Sequence, residues 1–340
     1  MGTRNLVTGG AGFIGAHVVR ELLAHGEQVV VLDDLSGGFE ENLPQGATFV
    51  RGSITAHELV NQLFAEHRFD NVYHLAAYAA EGLSHFIKRF NHTNNLIGSV
   101  NLINASINYE VKCFVFTSSI AVYGGAQLPM REDTVPQPED SYGIAKYAVE
   151  QELRCSHDMF GLNYVIFRPH NVYGEFQNIG DKYRNVIGIF MNQIMQGQPL
   201  TIFGDGSQTR AFSYVKEISG IIAEASRNRD AYGEVFNVGA DTPYSVNELA
   251  TEVCRVFEVE PKINYLDVRN EVLHAYSAHE KVRKYFPKSP TFTLREGLEA
   301  MAKWAQVHGP RMSSEFSAIE VERNLPPTWR HSATVHKRIL

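Results

Sequence analysis

The feature that most constrains this chain is a glycine pattern close to its beginning. Gly9, Gly12 and Gly15 follow the short apolar run Asn5–Val7 and open an amphipathic, helix-like stretch. Glycines at this spacing allow a tight strand-to-helix turn, a close approach of the backbone to a pyrophosphate, and close packing of the helix on the sheet. A second apolar run ends in Asp33, whose carboxylate can accept both ribose hydroxyls and would repel a 2′-phosphate. The pattern therefore predicts bound NAD rather than NADP; the alternative is an ordinary glycine-rich turn.

Short apolar runs alternate with amphipathic stretches through the first half of the chain. We expect strands at residues 5–7, 28–32, 48–51, 71–75, 114–117 and 164–167. This alternation predicts an α/β protein with a Rossmann fold, a doubly wound parallel sheet, and a smaller α/β substrate lobe that is discontinuous in sequence. The predicted domains are a Rossmann domain (1–170 plus about 211–242), a substrate lobe (about 171–210 plus 243–310) and a C-terminal tail (311–340), which is either docked or disordered.

Charge and cysteine usage narrow the partners and the location. The net charge is −7 and no basic run stands out, so we predict no nucleic-acid and no membrane partner. Cys113, Cys155 and Cys254 are widely spaced and form no C-x-x-C pair, so neither a disulfide framework nor a metal site is expected. We see no signal peptide and no apolar run long enough to span a bilayer, and therefore expect a cytoplasmic protein.

A tyrosine and a lysine carry the pattern most suggestive of catalysis. Tyr142 and Lys146 are four residues apart and share one face of a predicted helix. An ammonium one turn away, together with a nicotinamide cation nearby, would lower the tyrosine pKa from its usual value near 10. Tyr142 could then take a proton from a hydroxyl while hydride leaves the same carbon. Ser119 follows a predicted strand, where its hydroxyl could share that proton. Such a pair alone is common by chance, and the alternative is a surface lysine beside a half-buried tyrosine.

Taken together, the motifs of this chain resemble the extended short-chain dehydrogenase/reductase superfamily, in its NAD-dependent nucleotide-sugar epimerase/dehydratase family of the UDP-glucose 4-epimerase-like type. The matching elements occur in family order over roughly residues 4–308: Gly9, Gly12 and Gly15; Asp33; His74–Ala77; Asn95 ahead of Gly98; Ser119 ahead of Val122–Gly124; Tyr142 and Lys146; Arg168–Gly174; Gly204–Arg210. The resemblance implies that Ser119, Tyr142 and Lys146 form a catalytic triad and that the smaller lobe binds a nucleotide sugar.

The same resemblance implies which residues contact the ligands, and it implies no metal ligand. The implied cofactor contacts are Gly9, Gly12, Phe13, Ile14, Gly15, Asp33, Asp34, Ser53, Ile54, Leu75, Ala76, Ala77, Asn95, Tyr142, Lys146 and His170. The implied substrate contacts are Ser119, Tyr142, Asn171, Arg210 and Arg269. A guanidinium fork suits a diphosphate, although a surface role is the alternative for Arg210 and Arg269.

Departures from the family pattern narrow the reaction. Ile120 and Ala121 stand where the family's dehydratases carry an Asp-Glu pair, and neither can transfer a proton. Ala121 also replaces the glutamate of sugar-acid decarboxylases and the cysteine of 3,5-epimerases. What remains is a 4-epimerase of a nucleotide sugar, expected to be a UDP-sugar: C4 is oxidised to a 4-keto sugar and hydride returns to the opposite face. A net dehydrogenase or reductase, a decarboxylase, a 3,5-epimerase and a non-catalytic NAD-binding scaffold remain alternatives.

Other departures concern the sugar itself. Residues Tyr78–Arg89 lack the family's common acidic-proline stretch, and the segment Gln177–Ile187 is an altered form of the loop that contacts the nucleotide. A rearranged pocket could suit a uronic acid, an amino sugar or a heptose. The residues themselves leave the sugar and the base open, and a UDP-sugar is expected from the resemblance alone. Two interpretations of His170 also stay open: it contacts the sugar, or it is structural.

Two predicted helices bear on the oligomeric state. The stretches Leu96–Ile107 and Tyr142–Phe160 match helices that form an intersubunit four-helix bundle in relatives. Their apolar residues exceed what one core face needs, namely Leu102, Ile103, Ile107, Val149, Leu153 and Met159. We therefore expect a homodimer; the alternative is that all six residues pack within one chain.

Overall fold

The computed structural model describes residues 2–125, 128–268, 272–312, 316 and 318–329. The strands are β1 (Arg4–Thr8), β2 (Gln28–Asp33), β3 (Thr48–Arg51), β4 (Asn71–His74), β5 (Cys113–Thr117), β6 (Tyr164–Pro169), β7 (Val172–Tyr173), β8 (Leu200–Phe203), β9 (Thr209–Ala211), β10 (Ser213–Tyr214), β11 (Glu234–Val238), β12 (Pro243–Ser245), β13 (Ile263–Leu266) and β14 (His274–Ala275). The helices are α1 (Phe13–Ala24), α2 (His57–His67), α3 (Glu81–Ser84), α4 (Lys88–His92), α5 (Gly98–Asn108), α6 (Ser141–Phe160), α7 (Val186–Met195), α8 (Val215–Glu224), α9 (Val246–Val256), α10 (Glu280–Tyr285) and α11 (Leu294–His308).

The centre of the protein is a seven-stranded sheet in the order β11-β6-β5-β4-β1-β2-β3. All neighbouring strands in it run parallel. Strands β4, β5 and β6 are buried along their whole length, because helices cover both faces and the strands carry apolar residues on both. The predicted Rossmann-type fold is confirmed. The strand order reverses between β1 and β4, and ligands bind at the carboxyl edge of such a crevice.

Local sequence explains why the two helices nearest that crevice begin where they do. Helix α1 starts directly after Gly12, and within the described residues no side chain caps its first turn. Its first backbone N–H groups therefore point towards the crevice without a partner from the helix itself. Helix α6 starts after Asp140, whose carboxylate accepts a hydrogen bond from Gly143 N at 2.7 Å, and it ends at Gly161, which has φ 75°.

The rest of the chain builds smaller sheets beside the central one. Strands β8 and β13 pair in parallel, and β9 lies between β12 and β14. Between these segments the chain returns to the central sheet through α8 and β11, and β11 pairs with β6. This topology agrees with a lobe that is discontinuous in sequence, while the proposed domain limits remain predictions. No helix in the described part of the chain combines the length and apolar character needed to cross a bilayer.

The structure revises the argument for a homodimer. Of the six apolar residues on which it depended, Leu102, Ile103, Val149 and Leu153 are buried inside the chain, in a core on one face of the central sheet. Packing within one chain accounts for their burial, so these four residues are no evidence for a dimer interface. Met159 is exposed, as are three apolar neighbours on the same helices or directly before them: Ile97, Ile144 and Phe160. A homodimer through a four-helix bundle remains a prediction, now resting on these exposed residues.

Candidate active site

A cavity of about 570 Å³ runs along the carboxyl edge of the central sheet. At one end it is lined by the turn between β1 and α1 and by the loop after β2. At the other end it is lined by the residues after β4, by the start of α6 and by the segment before α7. The cavity therefore lies at the switch point where a parallel α/β sheet holds its ligands.

The glycine turn has no room for side chains. Gly9 has φ +71°, and a Cβ added there would lie 2.7 Å from Ala76 N. A Cβ added at Gly15 would lie 2.1 Å from Gly9 O, so only glycine lets helix α1 pack this closely on the turn. Both constraints leave the backbone N–H groups at the start of α1 facing the cavity, which is the arrangement that a pyrophosphate requires.

Asp33 ties the glycine turn to the end of β2. Its carboxylate accepts hydrogen bonds from Ala11 N at 3.0 Å and from Leu35 N at 2.8 Å. Burial raises the pKa of Asp33 above its ordinary value, and the backbone hydrogen bonds from Leu35 and Ala11 partly oppose this rise. Two carboxylate oxygens have about four acceptor sites, so the group can still accept ribose hydroxyls.

Most residues predicted to contact the cofactor line the cavity. They are Gly9, Gly12, Phe13, Ile14, Gly15, Asp33, Asp34, Ser53, Ile54, Leu75, Ala76, Ala77, Tyr142, Lys146 and His170. Among them, the Ser53 hydroxyl accepts from Thr55 N at 3.3 Å and lies 2.9 Å from the Thr55 hydroxyl, which leaves one further position, a lone pair or its own proton, for a ligand.

Asn95 is the exception: it does not line the cavity, and its predicted contact with the cofactor remains a prediction. Its side chain is buried. The amide accepts from Tyr78 N at 2.8 Å and donates to Tyr78 O at 3.1 Å and to Asn91 Oδ1 at 2.8 Å. These hydrogen bonds fix the backbone of Tyr78, where the segment after β4 begins, to the side chain of Asn95.

The three predicted catalytic residues meet at the cavity. Ser119, Tyr142 and Lys146 are all buried, yet all three line it. The Ser119 hydroxyl accepts from Ala121 N at 3.1 Å and is hydrogen-bonded to the Tyr142 phenol. Since Ser119 oxygen already accepts from a backbone N–H, its own proton is available to the phenol oxygen. This hydrogen bond lowers the pKa of the Tyr142 phenol.

The side chains around Tyr142 do not by themselves lower the pKa of its phenol. Burial raises the pKa of Tyr142, the nearby Glu81 carboxylate raises it further, and the Ser119 hydrogen bond lowers it only in part. The Lys146 ammonium donates to Thr117 O at 2.7 Å and lies 5.8 Å from the Tyr142 ring centroid. Burial also lowers the pKa of Lys146 to about 7, although Glu150 raises it in part. The chain's own side chains therefore do not produce a low tyrosine pKa.

His170 is held in a buried network. Its Nδ1 is 2.9 Å from Ala211 O and therefore donates, and its Nε2 is 3.0 Å from Nε2 of His279. His279 Nδ1 in turn lies 2.7 Å from Asp241 Oδ1. Burial, followed by the neighbouring His279, lowers the pKa of His170 to about 3. Both ring nitrogens are engaged and the ring is neutral, which favours the structural interpretation over a contact with the sugar.

The predicted diphosphate contacts have mixed outcomes. Asn171 lines the cavity with φ 41° and donates from its amide to Ala211 O at 3.2 Å. Arg210 also lines the cavity, but its guanidinium donates to the carbonyl oxygens of Thr209, Leu273 and Val272. These bonds hold the guanidinium against the backbone, so it is not aimed solely at a ligand. Arg269 lies outside the described residues.

Arg184 and Trp329 are among the cavity residues that were not identified from the sequence. Arg184 lines the cavity, is paired with Asp181 at 2.5 Å and lies 4.9 Å from the Tyr78 ring centroid. The altered loop Gln177–Ile187 was the only signal for it. Trp329, from the polar C-terminal tail, also lines the cavity. A tryptophan after two prolines was its signal, but nothing in the sequence says where it docks. In the described part of the chain, no three His, Cys, Asp or Glu side chains converge as metal ligands.

Comparisons with known proteins agree with this geometry. The model of the NAD dependent epimerase/dehydratase family matches residues 5–239. UDP-glucose 4-epimerase of Mycolicibacterium smegmatis is 36% identical over 303 residues, which are 87% of this chain and 96% of that protein. UDP-N-acetyl-alpha-D-glucosaminuronate decarboxylase of Bacillus cytotoxicus is 29% identical over 89% of this chain and 98% of that protein.

Solved structures are similar over nearly their whole length. UDP-glucose 4-epimerase of Thermotoga maritima with UDP-glucose has a TM-score of 0.86 at 34% identity, covering 90% of this chain and 99% of that one. UDP-glucose 4-epimerase of Thermus thermophilus in complex with NAD has a TM-score of 0.82 at 31% identity, covering 89% and 98%.

Proposed function

Because this chain belongs to the NAD-dependent epimerase/dehydratase family, we propose that it is a nucleotide-sugar 4-epimerase acting on a UDP-sugar. The observation that carries the proposal is the site around Tyr142. Ser119, Tyr142 and Lys146 meet at the cavity, while Ile120 and Ala121 line the same wall and bring no acid, base or thiol. A proton can therefore be exchanged at one sugar hydroxyl, but the site has no second group at 120–121 for elimination of water. The similarity to proteins named UDP-glucose 4-epimerase supports the choice of a UDP-sugar.

The family is NAD-dependent, and the cradle in this chain suits that cofactor. Gly9 and Gly15 would let the start of α1 approach the pyrophosphate, and Asp33 would accept the ribose hydroxyls. Bound NAD supplies the acceptor, and later the donor, of the hydride at C4. The carboxylate of Asp33 would lie where NADP carries its 2′-phosphate, which disfavours NADP.

Tyr142 would move the proton of the C4 hydroxyl. In the first half-reaction its phenolate oxygen takes that proton while the C4–H bond breaks, so the C4–OH carbon becomes a ketone. In the second half-reaction the phenol returns the proton to the C4 oxygen after the 4-keto sugar has presented its other face. Ser119 donates its hydrogen bond to the phenol oxygen and stabilises the phenolate between the two steps.

Lys146 would supply positive charge next to this oxygen. Burial holds its pKa at about 7, so the charged and neutral forms are close in free energy near neutral pH. A bound dinucleotide with its oxygen acceptors would favour the charged form, and the ammonium would in turn favour the phenolate of Tyr142. The lowered tyrosine pKa expected from the sequence is therefore proposed for the complete complex.

A panel of nucleotide sugars tests the proposal. The purified protein is incubated with UDP-glucose, UDP-galactose, UDP-N-acetylglucosamine and UDP-glucuronic acid without added cofactor, and the products are identified by proton NMR. We expect at least one C4 epimer pair to interconvert, with no net formation of NADH. Release of a keto sugar with stoichiometric NADH would instead identify a net dehydrogenase, and loss of a carboxyl carbon would identify a decarboxylase. No change in any sugar, with NAD bound, would favour the scaffold alternative.

A further inference from the structure

The C-terminal segment, defined here as Phe316 and residues 318–329, is fastened to the loop that follows β4. The Phe316 ring packs against Tyr78 and Phe90, with centroids 5.2 and 5.0 Å away. The Glu320 carboxylate accepts hydrogen bonds from Arg89 N at 2.8 Å and from Phe90 N at 2.9 Å. Ring packing and charge-assisted hydrogen bonds thus hold the segment against residues 78–90, the stretch that departs from the family pattern.

Trp329 lies at the end of this segment and reaches the cavity wall. It is only 5% exposed and packs edge-on against Tyr183, at 5.4 Å between ring centroids, and Phe86, at 6.2 Å. Its indole also lies over Gly82, where an added Cβ would come within 3.2 Å of the ring. An indole held from three sides cannot move aside cheaply, because protein interiors are close-packed.

The cavity wall at Trp329 lies next to helix α6, which carries Tyr142. Gly82 and Ser84 belong to the same short helix, α3, and the Ser84 hydroxyl accepts a hydrogen bond from Tyr142 N at 3.2 Å. Tyr183, on which the indole packs, precedes Arg184 in the cavity lining. Trp329 therefore bounds the part of the cavity nearest Tyr142, where the reacting sugar ring of a nucleotide sugar would lie.

We propose that Trp329 is a specificity-determining residue that closes the sugar end of the cavity against bulky sugar substituents. This inference rests on the proposed function, since it assigns the sugar to the Tyr142 end. The alignment with the Thermotoga maritima enzyme covers 99% of that chain but only 90% of this one, so about a tenth of this chain has no counterpart there. An added wall is one way in which this chain can differ from that relative in the sugars it accepts.

Single-tryptophan proteins test the position of the wall, because Trp304 and Trp329 are the two tryptophans in the chain. Trp304→Phe leaves Trp329 as the reporter, and Trp329→Phe leaves Trp304, which lies on α11 and does not line the cavity. We expect acrylamide to quench Trp329 several-fold less than free N-acetyltryptophanamide. UDP-glucose should change the emission of Trp329 more than UDP does, and neither should change that of Trp304. Quenching of Trp329 as strong as that of the free amide would overturn the proposal, as would calorimetrically verified UDP-glucose binding with unchanged Trp329 emission.

Kinetics test the effect on specificity. In Trp329→Ala, the ratio of kcat/KM for UDP-N-acetylglucosamine over UDP-glucose should rise by about tenfold or more, since a change in the packing of an apolar pocket is typically worth 10–200-fold. Trp329→Phe should give a smaller rise and Trp304→Phe none. A ratio in Trp329→Ala that stays at the wild-type value would refute the role. If wild-type protein turns over no nucleotide sugar, the proposed function fails instead, and the quenching experiment still decides whether the wall exists.

Discussion

Replacing Tyr142 by phenylalanine isolates the step that the proposed mechanism places on one oxygen atom. The change removes the phenol hydroxyl and leaves the ring, which is 6% exposed and buried at the start of α6. The hydrogen bond to Ser119 is lost with it. No cavity larger than one oxygen atom is created, so the packing around the ring should be retained.

The structure sets the size of two separate effects. A hydrogen bond between neutral groups contributes about 0.5–1.5 kcal/mol, so the free energy of unfolding should fall by no more than about that amount. Positioned general-base catalysis is worth about 10²–10⁴-fold in rate, equivalent to roughly 3–5 kcal/mol in the activation free energy. Turnover should therefore fall by at least about a hundredfold, while thermal stability and the content of bound NAD change little.

The assay compares Tyr142→Phe with Tyr147→Phe, which makes the same change on the same helix. Tyr147 is half-buried, packs against the apolar cluster around Ile120 and Tyr123, and does not itself line the cavity. C4 epimerisation is followed by NMR, NAD content by mass spectrometry after heat release, and stability by thermal unfolding. Tyr147→Phe should retain wild-type turnover, so a loss confined to Tyr142→Phe is attributable to the missing phenol oxygen.

Retention of more than about a tenth of wild-type activity in Tyr142→Phe would refute the assignment of the base, because the expected loss is at least ten times larger. His170 is then a poor replacement. Its two ring nitrogens are bonded to Ala211 O and to His279, and its pKa is lowered to about 3. A different proton acceptor would have to be sought among the other cavity residues, and the oxidation of C4 through Tyr142 would be abandoned.

Three further predictions concern the cofactor, acid stability and assembly. Asp33→Asn should weaken NAD binding by about tenfold or more, because a charged hydrogen bond is worth about 1.5–3 kcal/mol. It should also reduce the ratio of the affinity for NAD to the affinity for NADP. Titration calorimetry with both dinucleotides checks this, and an unchanged ratio would contradict it. Burial lowers the pKa of His17 to about 4, below the value near 6.5 of an unfolded histidine. As the pH falls from 6.5 towards 4, the unfolded chain binds a proton that the folded chain does not, so the free energy of unfolding decreases. In His17→Gln, the free energy from urea unfolding should show a pH slope smaller by up to about 1.4 kcal/mol per pH unit in that window, and equal slopes would contradict the reasoning. Light scattering should give about twice the chain mass of 38.1 kDa, and Met159→Glu, which places a charge on the exposed end of α6, should shift the protein towards the monomer; a wild-type mass near 38.1 kDa would rule the homodimer out.

Sequence reasoning succeeded where function depends on local backbone geometry. The positive φ of Gly9 and the close contact at Gly15 are properties of a turn, and a turn is encoded by residues that are neighbours in the chain. The strands were predictable for a related reason: residues such as Val29, Val30 and Val31 form apolar runs that only a sheet covered on both faces can bury. The predicted strands differ from the observed ones only at their ends.

The sequence was less informative where the role of a side chain depends on residues far away in the chain. Asn95 has the residue type of a ligand contact, but Tyr78 and Asn91 use its amide, and their proximity is a property of the folded loop. The four apolar residues assigned to a dimer interface are buried by packing within the chain, which their helical periodicity could not distinguish. Trp329 could not be placed, because its contacts are with residues about 145 and more positions earlier in the sequence.

A buried network of hydrogen bonds joins helix α6 to strand β6. The Arg168 guanidinium donates to both carboxylate oxygens of Glu150, at 2.9 and 2.5 Å, and both side chains are buried. Glu150 lies one turn after Lys146 on α6 and also accepts from the Ser118 hydroxyl at 2.6 Å. A buried ion pair contributes little net stability, since desolvation of both charges offsets their attraction.

The main effect of this network is to hold helix α6 in position. It ties α6, which carries Tyr142 and Lys146, to the end of β6 and to Ser118, the residue before Ser119. Breaking such a pair by removing one partner typically costs about 3–5 kcal/mol, because a charge is left buried without compensation. The network thus joins the helix that carries Tyr142 to the strand end that carries Ser119, from behind the cavity.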